Sequence, residues 1–174
     1  MAWKVCGVIK KVLFSAYQVG MFFLDYVNGE AKFRPRIVKF GWPGTPWQGK
    51  FLVIGSMQVE ETMLFTQVGD LLCNLSECPQ RVFFQRLSEG QDLESDFYFS
   101  ANKRALEESE FSLWLETRRE LLEKFDALDS GFSPVVVRSS RKKFIVEDGA
   151  HRLSLKSLRG IRTHRVEISV WYLG

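Results

Sequence analysis

Residues 134–171 read PVVVRSSRKKFIVEDGAHRLSLKSLRGIRTHRVEISVW, and the punctuation of this stretch decides the fold. Pro134–Arg138, with three successive valines, suits a strand, Ser139–Lys142 is polar enough to turn, and Lys143–Val146 predicts a second strand. Asp148-Gly149 then turns the chain into a short helix over His151–Leu158, which Arg159-Gly160 ends. His164–Trp171 nearly alternates between apolar and polar residues and predicts a last strand. Upstream, Phe111, Trp114, Leu115, Leu122, Phe125 and Leu128 recur at helical spacing, which predicts a helix over Ala105–Leu128 closed by Ser130-Gly131. Helix, strand, strand, helix, strand implies an α+β class: a small mixed sheet with packed helices over residues 111–174. An α/β extension of unassigned type, or a substrate lobe, fills residues 1–110.

That first part is less regular. Val5–Ile9 could open as a strand, and Lys10–Tyr26 carries a helical period closed by Asn28-Gly29. Val12–Leu24 is uncharged and resembles the apolar core of a signal peptide. However, Lys10 and Lys11 interrupt it, Tyr17 and Gln18 lie inside, and no small-residue cleavage site follows before Asp25. At thirteen residues it is too short to span a bilayer, so a core-facing helix or strand is expected. Lys32–Phe40, broken by Pro35, predicts an edge strand or extended arm. Residues 41–49 form a Gly/Pro loop carrying Trp42 and Trp47, which anchor the loop or cover a ligand. Phe51–Ile54 reads as a short buried strand. Glu61–Cys73 reads as a helix with Met63, Leu64, Val68, Leu71 and Leu72 on one side, broken by Cys78-Pro79. Val82–Leu87 and Phe97–Phe99 are short apolar runs of either type.

With 174 residues the chain suits one ordinary domain, alone or with an appended lobe, and 15 Phe exclude a disordered chain. Three cysteines, Cys6, Cys73 and Cys78, make no disulfide framework and no zinc spacing, and they point to free thiols in a cytoplasmic protein with no membrane partner. The net charge of +3 is unevenly spread: residues 131–174 hold nine Lys/Arg against three acids, and residues 1–130 hold fifteen against eighteen. A basic segment on a near-neutral chain means either an anion-facing surface or a solvated face.

One constellation carries chemistry. A strand ends in Glu147-Asp148, turns on Gly149, and enters a helix through Ala150-His151-Arg152. The first turn of a helix presents unpaired N–H groups and a partial positive charge, Gly149 lets the backbone approach closely, and Arg152 can grip phosphate with two parallel hydrogen bonds. Asp148 can hold a metal ion or accept a proton from an attacking hydroxyl. The alternative is structural: Asp148 N-caps the helix, Gly149 makes the turn, and Arg152 pairs with Glu147 or Asp148. Lys142 and Lys143 can reach phosphate or simply solubilise a hairpin. His164, at the start of the last strand, reads as structural.

The string VEDGAHRLSLKSLRG…HRVEISV, preceded by PVVVRSSRKKF and by the helix end LLEKFDALDSGF, resembles the ParB/sulfiredoxin-like superfamily over about residues 111–172. The resemblance implies a phosphate-binding turn between the hairpin and the following helix. Sulfiredoxins carry a catalytic cysteine immediately before the His-Arg pair; Ala150 stands there, which argues against sulfur reduction. The chromosome-partitioning branch carries a helix-turn-helix after the last strand, and none follows here. The free-serine-kinase branch, with its Asp-Gly turn and a following Arg, is the most similar. By that resemblance Asp148 and His151 are catalytic, Gly149, Ala150, His151 and Arg152 hold the phosphates of ATP or ADP (or CTP), and Asp148 holds Mg2+. A second acid is required upstream, for which Glu60 and Glu61 are candidates. The expected function is nucleotide-dependent phosphotransfer to a small hydroxylated molecule. The alternatives are a non-catalytic nucleotide- or phosphate-binding regulatory module and a ParB-like nucleic-acid-associated protein.

Overall fold

Seven segments, six of them carrying β-branched or aromatic residues, pair into one mixed sheet in the computed structural model, which describes residues 2–41, 48–68, 70–128 and 133–172. In chain order the elements are α1 (Ala2–Val27), β1 (Ala31–Gly41), β2 (Gln48–Glu60), a 3-10 turn (Glu61–Met63), β3 (Leu64–Val68), β4 (Leu71–Asn74) and a second 3-10 turn (Leu75–Glu77). There follow α2 (Pro79–Ser88), α3 (Phe97–Ala105), α4 (Glu108–Glu123), α5 (Phe125–Leu128), β5 (Val135–Ser140), β6 (Lys143–Asp148), α6 (Ala150–Leu158) and β7 (Thr163–Tyr172). The α+β class is as expected. The strand order is β1-β2-β7-β5-β6-β3-β4, with β3–β6 and β5–β7 parallel and the other pairs antiparallel. Strands from residues 1–110 therefore flank β7, β5 and β6 on both sides of a single sheet, across the expected boundary at 110/111.

The expected elements from β5 to β7 are present, with β5–β6 joined by a two-residue turn at Arg141-Lys142. Four other expectations are corrected. Val5–Ile9 is not a strand, because α1 runs through it. Glu61–Cys73 is not a helix but a 3-10 turn followed by the β3–β4 hairpin, where Thr66 faces inward and Gln67 outward in the two-residue period of a strand. The long helix begins at Glu108, where Glu107 and Glu110 form a reciprocal capping box, and it breaks before α5. Phe51–Ile54 is the middle of a thirteen-residue strand. The tips Trp42 and Trp47 lie outside the described residues.

Two apolar cores meet across α6. Phe22 of α1, Ile54, Val136, Phe144, Val166 and Ile168 form the sheet core, and Leu153 of α6 packs into it. Phe83, Phe84, Tyr98, Trp114 and Leu121 of α2–α4 form the second, and Leu155 of α6 packs into that one. The two-residue offset turns these leucines to different sides of the helix, so α6 is the hinge pin of the fold.

The expectation that the apolar run in α1 faces the core is also corrected. Over residues 13–27 the buried positions are Gln18, Phe22 and Asp25, while Leu13, Phe23, Leu24 and Val27 are exposed. Gln18 substitutes for a strand partner: its side-chain amide donates to the Arg138 carbonyl and its oxygen accepts from the Arg138 N–H at 3.1 Å. Asp25 pairs with the buried Arg138 guanidinium, which also lies 4.8 Å from the Phe144 ring centre. Gly55 of β2 lets α1 sit this close, because a Cβ there would fall 2.4 Å from the Phe22 ring and 2.2 Å from the Lys32 carbonyl oxygen. Among the described residues no helix is long and apolar enough to cross a membrane.

Candidate functional site

The β6–α6 junction is built by glycine. Gly149 adopts φ +92°, a left-handed conformation that L side chains rarely occupy, and this reverses the chain from the strand end Glu147-Asp148 into α6. No side chain caps α6; the Gly149 carbonyl accepts from the Leu153 N–H at 3.0 Å, which closes the first turn. The expected N-cap role of Asp148 is thus absent. Its half-buried carboxyl is pushed up by burial, an effect only partly opposed by the Gly149 N–H and the nearby Arg152 charge. Burial raises Glu147 as well. Asp148, Gly149 and Arg152 therefore do meet at the helix start.

His151 leaves that group. Its Nε2 shares a 2.8 Å hydrogen bond with the Tyr98 hydroxyl, and its ring meets Phe84 and Tyr98 with centres 5.9 Å away in both cases. Burial, and secondarily the Arg118 charge, lower its pKa from 6.5 to about 3, so the imidazole is neutral at physiological pH. Arg118 lies 5.0 Å from the Trp114 ring centre on the inner face of α4. Tyr98 and Arg118 were not singled out by the sequence analysis. The signal for Arg118 is legible in retrospect, since it occupies the apolar stripe between Trp114 and Leu121.

The second-acid candidates belong to another place. Glu61 is buried at the opposite end of α6, accepting from Ser157 Oγ at 2.6 Å and from the Arg162 guanidinium at 2.6 Å. Burial pushes its carboxyl up, but these two donors, with the Arg162 and His164 charges, together hold it below the ordinary range. Ser157 also accepts from Arg81 Nε at 3.0 Å. His164 is buried beside this network, in keeping with a structural role. The eight residues from Gly149 to Ser157 correspond to roughly 12 Å along a helix axis, too far for both acids to touch one phosphoryl group. A cavity of about 420 Å³ opens over Glu61, lined by Glu60, Thr62, Ser76, Arg162 and Thr163. Lys142 and Lys143 sit at the far end of β6 from Asp148, and Lys143 lies over the Phe65 ring at 4.5 Å.

Much of the basic surplus of the C-terminal segment is spent within the molecule. Arg138 pairs with Asp25, Arg159 with Asp126, and Arg162 with Glu61, each joining a late cation to an early acid. Among the described residues no three His, Cys, Asp or Glu converge as a metal-binding group. Glu147 and Asp148 are neighbours in a strand and point to opposite faces, so at most one carboxylate could join Mg2+ that a nucleotide brings with it. No family model matches the chain, no curated protein matches it, and no solved structure matches its fold.

Proposed function

We propose that the chain is a phosphate- or nucleotide-binding module, with the phosphates at the start of α6 and no turnover of its ligand. The observation that carries this reading is the position of His151. A side chain meant to hold phosphate or move protons is instead bonded to Tyr98 and kept neutral, while the only other acid candidates lie at the far end of α6. The remaining parts at the junction are those of a binder: Gly149 in a left-handed turn, a first helical turn without a side-chain cap, and Arg152. The ParB/sulfiredoxin-like resemblance supports the same location and suggests ATP, ADP or CTP, with Mg2+ held chiefly by the phosphates.

A second reading, phosphotransfer to a small hydroxylated molecule, is favoured by one observation: burial raises the Asp148 carboxyl and makes it a stronger base than an ordinary aspartate. One experiment separates the two. Ligand that binds only the folded state raises its melting temperature, by several degrees at a hundredfold excess over Kd for a chain of this size. ATP, ADP, CTP and GTP, each with and without Mg2+, are compared on wild type and Arg152→Ala. The expected outcome is a shift for one nucleotide that Arg152→Ala loses, with no product formed on prolonged incubation. Product that disappears in Asp148→Asn, with the shift retained, would select the kinase reading. No shift with any nucleotide would sink both.

A further inference from the structure

Helix α1 is amphipathic in the reverse sense. Over residues 13–27 the polar side chains Ser15, Gln18 and Asp25 point into the protein and are bonded there: Gln18 to the backbone of Arg138, Asp25 to the Arg138 guanidinium, and Ser15 Oγ to the Val170 carbonyl at 3.3 Å. Rotating the helix to bury its apolar side would break all three. Its orientation is therefore fixed by the fold, and its outer face is apolar: Leu13 is 65% exposed, Phe23 59%, Leu24 57% and Val27 67%. Over residues 13–27 no exposed position carries a charge. The surface continues onto β1 through Phe33, whose ring centre lies 6.2 Å from that of Tyr26, and Ile37. A contiguous apolar patch of this extent on a water-soluble surface marks a binding face.

The charges around it decide what binds. Among the described residues from 13 to 58 the exposed cations are Lys32, Arg34, Arg36, Lys39 and Lys50, and Glu30 is the one exposed acid. On β1, Ile37 and Lys39 share one face, with Lys50 directly across from Lys39 on β2, whereas Arg36 points to the other face and pairs there with Glu167, beside Arg34; Lys39 and Lys50 are therefore the rim of the patch. A second copy docked on the same patch would bring two such cationic sets together, which is unfavourable. Addition of a strand at the β1 edge is opposed by Pro35, the register shift between Phe33 and Arg36, and the same cations. Anionic headgroups complement both features at once, accepting the apolar face at the acyl boundary and the lysine rim at the phosphates.

We propose that the outer face of α1, with β1, docks the protein in the plane of an anionic lipid bilayer. The helix lies on the membrane without crossing it, because its inner face is tied to the sheet. The inference is independent of any nucleotide site.

The test is flotation of the full chain with vesicles of phosphatidylcholine alone and of phosphatidylcholine with about a third phosphatidylserine. Wild type is expected to float with the anionic vesicles, less so as salt rises, and poorly with the neutral ones. Phe23→Glu and Val27→Glu are each expected to weaken binding at least about ten-fold, since a buried side chain of this kind is replaced by a charge. Lys39→Gln with Lys50→Gln should weaken it roughly five-fold per cation while leaving the apolar face untouched, so the test survives a glutamate variant that fails to fold. Absence of wild-type binding to the anionic vesicles overturns the proposal, as does binding that none of these substitutions weakens. A wild-type dimer that Phe23→Glu dissolves, without any vesicle binding, would assign the face to self-association instead.

Discussion

His151 shows how one side chain can satisfy a motif and still be withdrawn from it. In sequence it stands beside Arg152 after an Asp-Gly turn; in the fold it joins Tyr98 and Phe84 and is held neutral, with its pKa lowered from 6.5 to about 3. The depression makes a prediction of definite sign. Below about pH 6.5 the unfolded chain binds a proton at His151 that the folded chain refuses, so stability falls as the pH falls, by about 2 kcal/mol between pH 7 and pH 5. Asp148 and Glu147 act in the opposite direction, because their raised carboxyls protonate first in the folded state as the pH drops. The two contributions separate by substitution. In His151→Gln, whose amide can keep a bond to Tyr98, the stability lost between pH 7 and pH 5 should shrink by about 2 kcal/mol relative to wild type. Urea denaturation of both proteins at the two pH values reads this difference, and an unchanged loss would mean that His151 titrates normally.

At the scale of elements, α1 depends on a side chain doing the work of a strand. β7 pairs with β5 only over Val135–Val137, so the next backbone groups, those of Arg138, would lack a partner on that side without Gln18. Gln18→Ala should cost about 2–4 kcal/mol, because it leaves a buried N–H and a buried carbonyl unsatisfied. Substitution of the exposed neighbour Val19, 47% exposed, should change stability by less than about 0.5 kcal/mol. Equal effects at the two positions, measured by chemical denaturation, would contradict the arrangement. The same helix explains part of what the sequence conceals. Hydrophobic periodicity finds α1 but assigns its apolar side to the core, because the rule assumes that buried means apolar, and here Gln18 and Asp25 take the inward positions. Glu61–Cys73 misleads differently: Leu64, Val68 and Leu72 recur every four residues, which suits a helix, whereas in the hairpin Leu72 pairs with Gln67 on the face opposite Leu64 and Val68. In the sequence, the Gly69-Asp70 pair was the discriminating signal. By contrast β5, β6, α6 and β7 were legible because turn residues and period change together. For the candidate site, the Asp148-Gly149 turn was legible as local backbone chemistry. The contacts of Tyr98 with His151 and of Glu61 with Ser157 were not, since pairings 53 and 96 residues apart leave no periodic trace.

For the whole molecule, the decisive fact is that the residues carrying the motif do not own their sheet. β7, β5 and β6 sit in the middle of the strand order, with β2 from the early part of the chain on one side and β3 on the other. α6 likewise needs Phe83, Phe84 and Tyr98 to cover Leu155, and Arg138 needs Asp25 and Gln18. Residues 111–174 alone would therefore expose two open strand edges, an unpaired guanidinium and the apolar side of α6. That fragment is expected to lack a cooperative thermal transition by circular dichroism and to be cleaved rapidly by protease, whereas the full chain melts cooperatively. Adding residues 1–110 as a separate polypeptide should restore the transition, because the missing strands and the second core come with it. A fragment that melts cooperatively by itself would mean that β5, β6, α6 and β7 form an autonomous unit. The strands at the flanks would then be additions to a complete domain, and the seven-stranded sheet would not be the unit of folding.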